Sequence, residues 1–166
     1  MEFLSNALFL WMMEINYELH SDFTPEKINL IAGWYHNEWE IPTTVTTEKI
    51  NKLSETGKEF QVLLSIDKKP VATGGIYNQV ALQDKLPSLS IYKHWMALVY
   101  CEPFSRGKGY ASLLCEKIQA HSKSLGITEL VLFTHTAENL YKRLGWNAVE
   151  RIELAKKNIV VMQKNL

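Results

Sequence analysis

The chain has 166 residues, 46% of them apolar, and its 18 Lys and Arg balance 18 Asp and Glu to a formal net charge of zero. A chain of this length buries roughly 70% of its extended surface on folding, enough for one domain with its own core, and this composition argues against disorder. The even charge balance lacks the cationic excess that a nucleic-acid backbone or an acidic membrane face would attract, and no apolar stretch reaches the ~20 residues of a membrane-spanning helix.

Residues 1–13 are rich in Phe, Leu, Met and Trp but carry Glu2 in place of a basic leader segment and offer no small-residue cleavage site, which argues against a signal peptide. They read as an N-terminal extension or alternative-start segment, with Met12 or Met13 as the other first residue, ahead of a domain spanning 14–166. The sharper reading is a helix that docks on the core or on a second copy in a homodimer. Cys101 and Cys115 show neither the CxxC spacing of a redox or zinc site nor the density of a secreted scaffold, which fits a reducing cytoplasm.

In residues 14–20, Ile15, Tyr17 and Leu19 alternate with polar neighbours, as a strand with one buried face requires. Thr24 before Pro25 is a helix N-cap followed by proline in the first turn, and Ile28, Ile31, Ala32, Tyr35 and Trp39 then form one stripe that Pro42 ends. A second helix is expected after Thr46 or Thr47, packing through Ile50 and Leu53 and finishing at Gly57. Strands over 60–66 and 71–80 flank a polar turn of Asp67, Lys68, Lys69 and Pro70, while Gly74 and Gly75 signal a bulge or a close backbone approach. Residues 81–90 read as a loop, and 94–101 as the next strand.

Arg106 to Gly109 leads into a helix with Leu114, Ile118, His121 and Leu125 on one face, closed by Gly126. Residues 130–133 are a continuous apolar run, as in a strand covered on both faces. A short helix over 137–144 stops at Gly145, and 147–153 and 158–163 read as two strands around Lys156 and Lys157. No repeat or low-complexity linker divides the chain.

The strand-to-helix turn Arg106, Gly107, Lys108, Gly109, Tyr110, Ala111 carries the chemistry. Its two glycines permit a tight turn and close approach of a ligand to the amides. The first N–H groups of a helix have no internal partner and its dipole is positive there, so the place favours a phosphate or pyrophosphate. A plain glycine turn is the alternative. Walker A and the three-glycine dinucleotide fingerprint both fail on spacing.

This segment resembles the GNAT superfamily of acyl-CoA-dependent N-acyltransferases, whose phosphate loop reads Arg/Gln-x-x-Gly-x-Gly/Ala, often with a preceding proline such as Pro103. Ala137-Glu138-Asn139-Leu140-Tyr141-Lys142-Arg143-Leu144-Gly145-Trp146 resembles the family's second motif, with Tyr141 thirty-five positions after Arg106. The resemblance covers the chain from about Ile15 to the C-terminus. It implies a single-domain α/β acyltransferase fold with flanking helices, built on a mixed, mostly antiparallel sheet splayed between the fourth and fifth strands. It also implies acetyl-CoA as donor and a primary amine, on a small molecule or at a peptide N-terminus, as acceptor.

By the same resemblance, the backbone of Val99, Tyr100 and Cys101 would bond the pantetheine arm, Arg106 to Ala111 would hold the pyrophosphate, and Asn139 would contact the cofactor from the second motif. Tyr141 corresponds to the family tyrosine near the CoA sulfur and is the expected general acid for the leaving thiolate; the other reading is a core tyrosine beside Leu140. A backbone amide near Val99 would meet the oxyanion.

Trp95 and Ala97 stand where relatives often place Glu or His, and neither takes a proton. A base would then be a water chain, His94 or Glu38, and an amine of modest pKa would need none. Trp34, Trp39 and Trp95 are candidates for the acceptor pocket, with core packing the alternative for the first two. His121 reads as packed, His20, His36 and His135 lack metal spacing, and the two cysteines read as buried thiols. No metal and no nucleic acid is expected, which disfavours an enzyme acetylating charged tRNA. A module that binds acyl-CoA without transferring it is the competing reading.

Overall fold

In the computed structural model, which describes residues 12–54 and 57–166, one mixed sheet of seven strands organises the described residues. The chain runs β1 (Ile15–Leu19), α1 (Pro25–Trp39), α2 (Thr43–Asn51), β2 (Phe60–Ile66), β3 (Lys69–Tyr77), α3 (Ala81–Lys85), β4 (Trp95–Cys101), α4 (Tyr110–Ser124), β5 (Glu129–Thr134), α5 (Glu138–Arg143), β6 (Asn147–Leu154) and β7 (Lys157–Asn165). The sheet order is β1-β2-β3-β4-β5-β7-β6. Only the central β4–β5 pair is parallel, because α4 carries the chain back across the sheet between them.

Local chemistry sets the boundaries. Thr24 caps α1 by accepting the Lys27 N–H at 3.3 Å. The helix stops at Trp39, short of Pro42, because Glu40 turns left-handed at φ 56°. α2 begins at Thr43, earlier than the expected start after Thr46 or Thr47. Its Thr-rich first turn has weak helix propensity, but Thr46 and Ile50, one turn apart, are both buried.

The β2–β3 turn is the pair Asp67 and Lys68, both at positive φ (49° and 68°), so β3 begins at Lys69 instead of Val71. The β6–β7 turn likewise uses Ala155 and Lys156. Residues 81–90, expected as a loop, hold α3 and the start of a 3-10 turn at Pro87–Ile91. They fold because Leu82 and Leu89 are buried over Trp95 and Val131. The role assigned to residues 1–13 falls mostly outside the described residues; Met13 packs against the main core, and its sulfur accepts the Tyr110 hydroxyl at 3.6 Å.

Alternation along the strands divides the core between two faces. On one, Leu114, Cys115 and Ile118 of α4 and Tyr141 of α5 pack with Val62, Leu64, Ala72, Met96, Leu130 and Met162. On the other, Ile31 and Tyr35 of α1 cover Leu63 and Tyr100, while the segment around α3 covers Trp95, Val131 and Val161.

Candidate functional site

The site begins with an irregularity in β4. Thr73 pairs with Tyr100 and Gly75 with Ala97, so Gly74 alone faces the two residues Leu98 and Val99. Leu98 has φ 58°, a left-handed conformation costing a non-glycine residue roughly 1–2 kcal/mol. The extra residue inverts the alternation. Trp95 and Ala97 pack toward α3 and Met96 toward α4, but beyond the bulge Leu98 and Tyr100 face α1 while Val99 and Cys101 face α4. Gly74 makes this fit, since a Cβ there would lie 3.1 Å from Val99 Cγ2.

Beyond the bulge, β4 parts from β5. The one paired register is Trp95 with Val131, whose N–H donates to the His94 carbonyl at 3.0 Å. Toward their C-terminal ends the strands have no ladder among the described residues, so the backbone of Val99, Tyr100 and Cys101 flanks a cleft in the sheet.

The loop after β4 closes that cleft at one end. Gly107 and Gly109 sit at φ 76° and 82°, and nothing lies within 4 Å of where a Cβ would stand on either. Arg106, Gly107, Lys108 and Gly109 are exposed, whereas Tyr110 and Ala111 begin α4 as its first turn. The arrangement is an open backbone cradle at the start of a 15-residue helix. The residues present fit the pyrophosphate of CoA.

Arg106 and Glu38, expected for different tasks, come together. The Arg106 Nε donates to the Cys101 carbonyl at 2.9 Å, its Nη2 lies 3.5 Å from Glu38 Oε2, and its guanidinium stands 5.7 Å from the Tyr100 ring centroid. Tyr100 in turn meets Trp34 at 5.3 Å and Trp39 at 6.1 Å between ring centroids. Trp39, expected in the core stripe, is 42% exposed, because α1 ends there and leaves one ring face open. Glu38 thus lies on an aromatic rim beside the C-terminal end of β4.

Tyr141, the expected general acid, is carried by α5 into the main core. Thr134 at the end of β5 accepts the Ala137 N–H at 3.0 Å, and the chain leaves the helix by a left-handed Gly145, with the Trp146 N–H returning to the Tyr141 carbonyl at 3.0 Å. The ring is nearly buried beside Trp146. Burial, and secondarily Cys115, raises the phenol well above its ordinary pKa near 10. Its hydroxyl has no hydrogen-bond partner among the described residues. Asn139 is exposed on the same helix.

The other candidates are placed elsewhere. Trp95 is fully buried between Tyr92 and Phe133, so any influence on an acceptor runs through the residues packed on it. His94 lines a cleft with Asn78, Gln83 and Tyr92 at the opposite end of β4, and burial followed by the nearby Lys58 and Lys93 lowers its pKa. Burial pushes the Cys115 thiol up to about 12 and also raises Cys101. His121 stacks edge-on against Phe60 at 4.6 Å. Among the described residues no three His, Cys, Asp or Glu gather as a metal site, and no helix is long and apolar enough to cross a membrane.

Sequence reasoning missed the tertiary role of Tyr35, whose hydroxyl donates to the Leu98 carbonyl at 2.7 Å. The only signal was a tyrosine on an otherwise apolar stripe, since a buried hydroxyl must find a partner. It also missed Phe104, 87% exposed immediately before the glycine cradle.

A mixed sheet that opens between β4 and β5, beside a glycine turn leading into a long helix, is the architecture of an acyl-CoA-dependent acyltransferase. The chain belongs to the acetyltransferase (GNAT) family, whose model matches residues 14–146. No curated protein sequence matches it at a significant level. Among solved structures, a GNAT-family acetyltransferase from Streptococcus pneumoniae superposes with a TM-score of 0.69 at 15% identity, over 92% of this chain and 99% of that one. An aminoglycoside 6'-N-acetyltransferase complexed with coenzyme A gives 0.69 at 14% identity, over 92% and 96%. YncA from Salmonella typhimurium, solved with its cofactor acetyl-CoA, gives 0.69 at 12% identity, over 92% and 93%. Likeness at these identities establishes a shared fold, and the family match supports acetyl transfer as the general activity.

Proposed function

We propose that this chain transfers an acetyl group from acetyl-CoA to a primary amine by direct attack in a ternary complex. The observation that carries the reading is the parting of β4 from β5 directly beside the open Gly107–Gly109 cradle. The thioester supplies the activated acyl group; the chain's residues bind, orient and move protons.

The amides of residues 106–111, with Lys108, hold the pyrophosphate, and the free backbone edge of Val99 to Cys101 holds the pantetheine as an added strand would. Asn139 contacts the cofactor from α5. An uncharged amine forms the new C–N bond as the C–S bond breaks. The Val99 amide donates to the developing oxyanion, and Tyr141 gives its proton to the departing thiolate. The amine's surplus proton leaves through water or Glu38.

The acceptor lies against Trp34, Trp39 and Tyr100, with the Glu38 carboxylate at its edge, which suits an amine carrying an apolar or aromatic body, on a small molecule or at a peptide N-terminus. The neutral charge and the two unpaired thiols suit a cytoplasmic enzyme without nucleic-acid or membrane partners. A homodimer would give residues 1–13 a surface to cover.

The test is thiol release from acetyl-CoA against phenethylamine, kanamycin and the dipeptide Ala-Phe. Amine-dependent release with acetylated product supports transfer. Tight acetyl-CoA binding without turnover on any amine class would instead make the chain an acyl-CoA-binding module.

A further inference from the structure

A chain of buried polar groups ends on the β4 bulge, and the transfer chemistry makes no direct use of it. Tyr35 of α1, Gln61 of β2, and Thr73 and Tyr77 of β3 are each at most 1% exposed. The Gln61 amide donates to the Tyr35 hydroxyl at 2.7 Å and to the Thr73 hydroxyl at 2.8 Å. Thr73 passes its own proton to the Val62 carbonyl at 2.8 Å, and the Tyr77 hydroxyl donates to the Gln61 side-chain oxygen. One donor remains, the Tyr35 hydroxyl, and it goes to the Leu98 carbonyl at 2.7 Å.

Aliphatic side chains would fill this space without burying polar groups that need partners. Instead the network terminates on the one residue of β4 in the left-handed region. Even the backbone is cut to fit it: a Cβ on Gly75 would lie 2.9 Å from Gln61 Oε1. In a planar trans peptide the C=O and the following N–H point in opposite directions. Fixing the Leu98 carbonyl toward α1 therefore fixes the direction of the Val99 N–H.

We propose that Tyr35 is a positioning residue for acetyl transfer, anchoring the Leu98 carbonyl so that the Val99 amide is held in line for the oxyanion. The proposal rests on the acetyl-transfer reading for what that amide meets, but not for how it is held. Gln61, locked by Thr73 and Tyr77, orients the Tyr35 hydroxyl so that its proton faces Leu98.

Tyr35→Phe removes the hydroxyl and keeps the ring against Trp39 and Tyr100. The expected result is a fall of about tenfold or more in kcat for acetyl transfer to phenethylamine or Ala-Phe, with KM for acetyl-CoA changed less than about threefold. The Val99 amide proton–nitrogen resonance of the free protein should also move. Ile66→Val, at the far end of β2, is the stability control, expected to lower the unfolding midpoint while leaving kcat and the Val99 resonance unchanged. A Tyr35→Phe enzyme with wild-type kcat and an unmoved Val99 resonance, or one whose loss the control reproduces, overturns the proposal. If Tyr35→Phe does not fold, Thr73→Val, which leaves Tyr35 in place and loosens it through Gln61, is read the same way. If the wild-type chain acetylates no amine, the transfer reading fails, and the Val99 resonance alone decides whether Tyr35 holds that amide.

Discussion

Tyr141 packs into the core on the α4 side of the sheet while Glu38 is carried by α1, which covers the other face, and the proposed reaction gives the two different proton work. Burial raises the Tyr141 phenol, so it stays protonated throughout the range below its ordinary pKa of about 10, and in the apo fold it is a weaker acid than a free phenol. Glu38 is exposed and stands 3.5 Å from the Arg106 guanidinium. Tyr141→Phe should lower kcat by about 10²-fold with little change in unfolding midpoint, because the hydroxyl has no partner to lose among the described residues; steady-state rates and a melting curve check both. The same residue carries a pH signature. A phenol whose folded pKa is raised contributes stability that is whole below about pH 10 and is lost as pH climbs through the folded value. Tyr35, Tyr77 and Tyr141 share that direction, all mainly through burial. Alkaline unfolding and ionisation of these three should therefore coincide in a spectrophotometric titration, and their ionisation in the intact fold near pH 10 would contradict it.

Strand β3 and helix α5 show how an element is specified. At Gly75 a Cβ would lie 2.2 Å from the Phe60 carbonyl oxygen, a backbone atom that cannot give way without moving β2. Gly75→Ala should cost about 1–3 kcal/mol or more, read as a drop in the denaturation midpoint, and should also disturb the Gln61 network. Helix α5 is held from outside by a charged clamp. Glu138 receives Arg151 of β6 at 2.6 Å and Lys142 at 2.9 Å, and these hydrogen bonds, Arg151's first, lower its pKa from 4.5 to about 2. Because the folded pKa is depressed, its contribution is present above about pH 4.5 and is lost as pH falls through about 2. Arg151→Ala should weaken that part of the acid dependence, leaving the share due to Lys142, and loosen the helix carrying Tyr141, seen as faster amide exchange in α5 at neutral pH. Lys142 is four positions from Glu138 on the same helix, but Arg151 is on another element, and no local pattern pairs it with Glu138. Local signals did locate α1, β2 and α4, where a cap, an apolar run and a closing glycine agree with burial. They missed α3 and the early start of α2, because short helices of modest propensity form only when a neighbouring apolar surface covers them.

At the scale of the whole molecule, the sheet is antiparallel and closed except where β4 and β5 part, so a ligand seated there bridges two halves of the fold. Acetyl-CoA at about one hundred times its dissociation constant should stabilise the protein by about 2.7 kcal/mol and raise the unfolding midpoint by roughly 5–10 °C. NAD and ATP serve as controls; an equal shift with either would show that the cradle recognises phosphate alone. The amino-acid sequence by itself carried the motifs whose resemblance to the GNAT family gave the class of protein. The element order, the Arg106 to Ala111 turn and the Tyr141 motif are local patterns, and their chemistry is readable because a helix start or a glycine turn depends on residues a few positions apart. Only the tertiary structure decided that Trp95 is buried while Trp39 is open, that Arg106 meets Glu38, and that Tyr35 grips Leu98. The physical reason is the bulge at Leu98: one extra residue inverts the facing of every side chain after it. That inversion depends on Gly74 across the sheet and on a hydroxyl sixty-three positions earlier in the chain, which no local pattern connects.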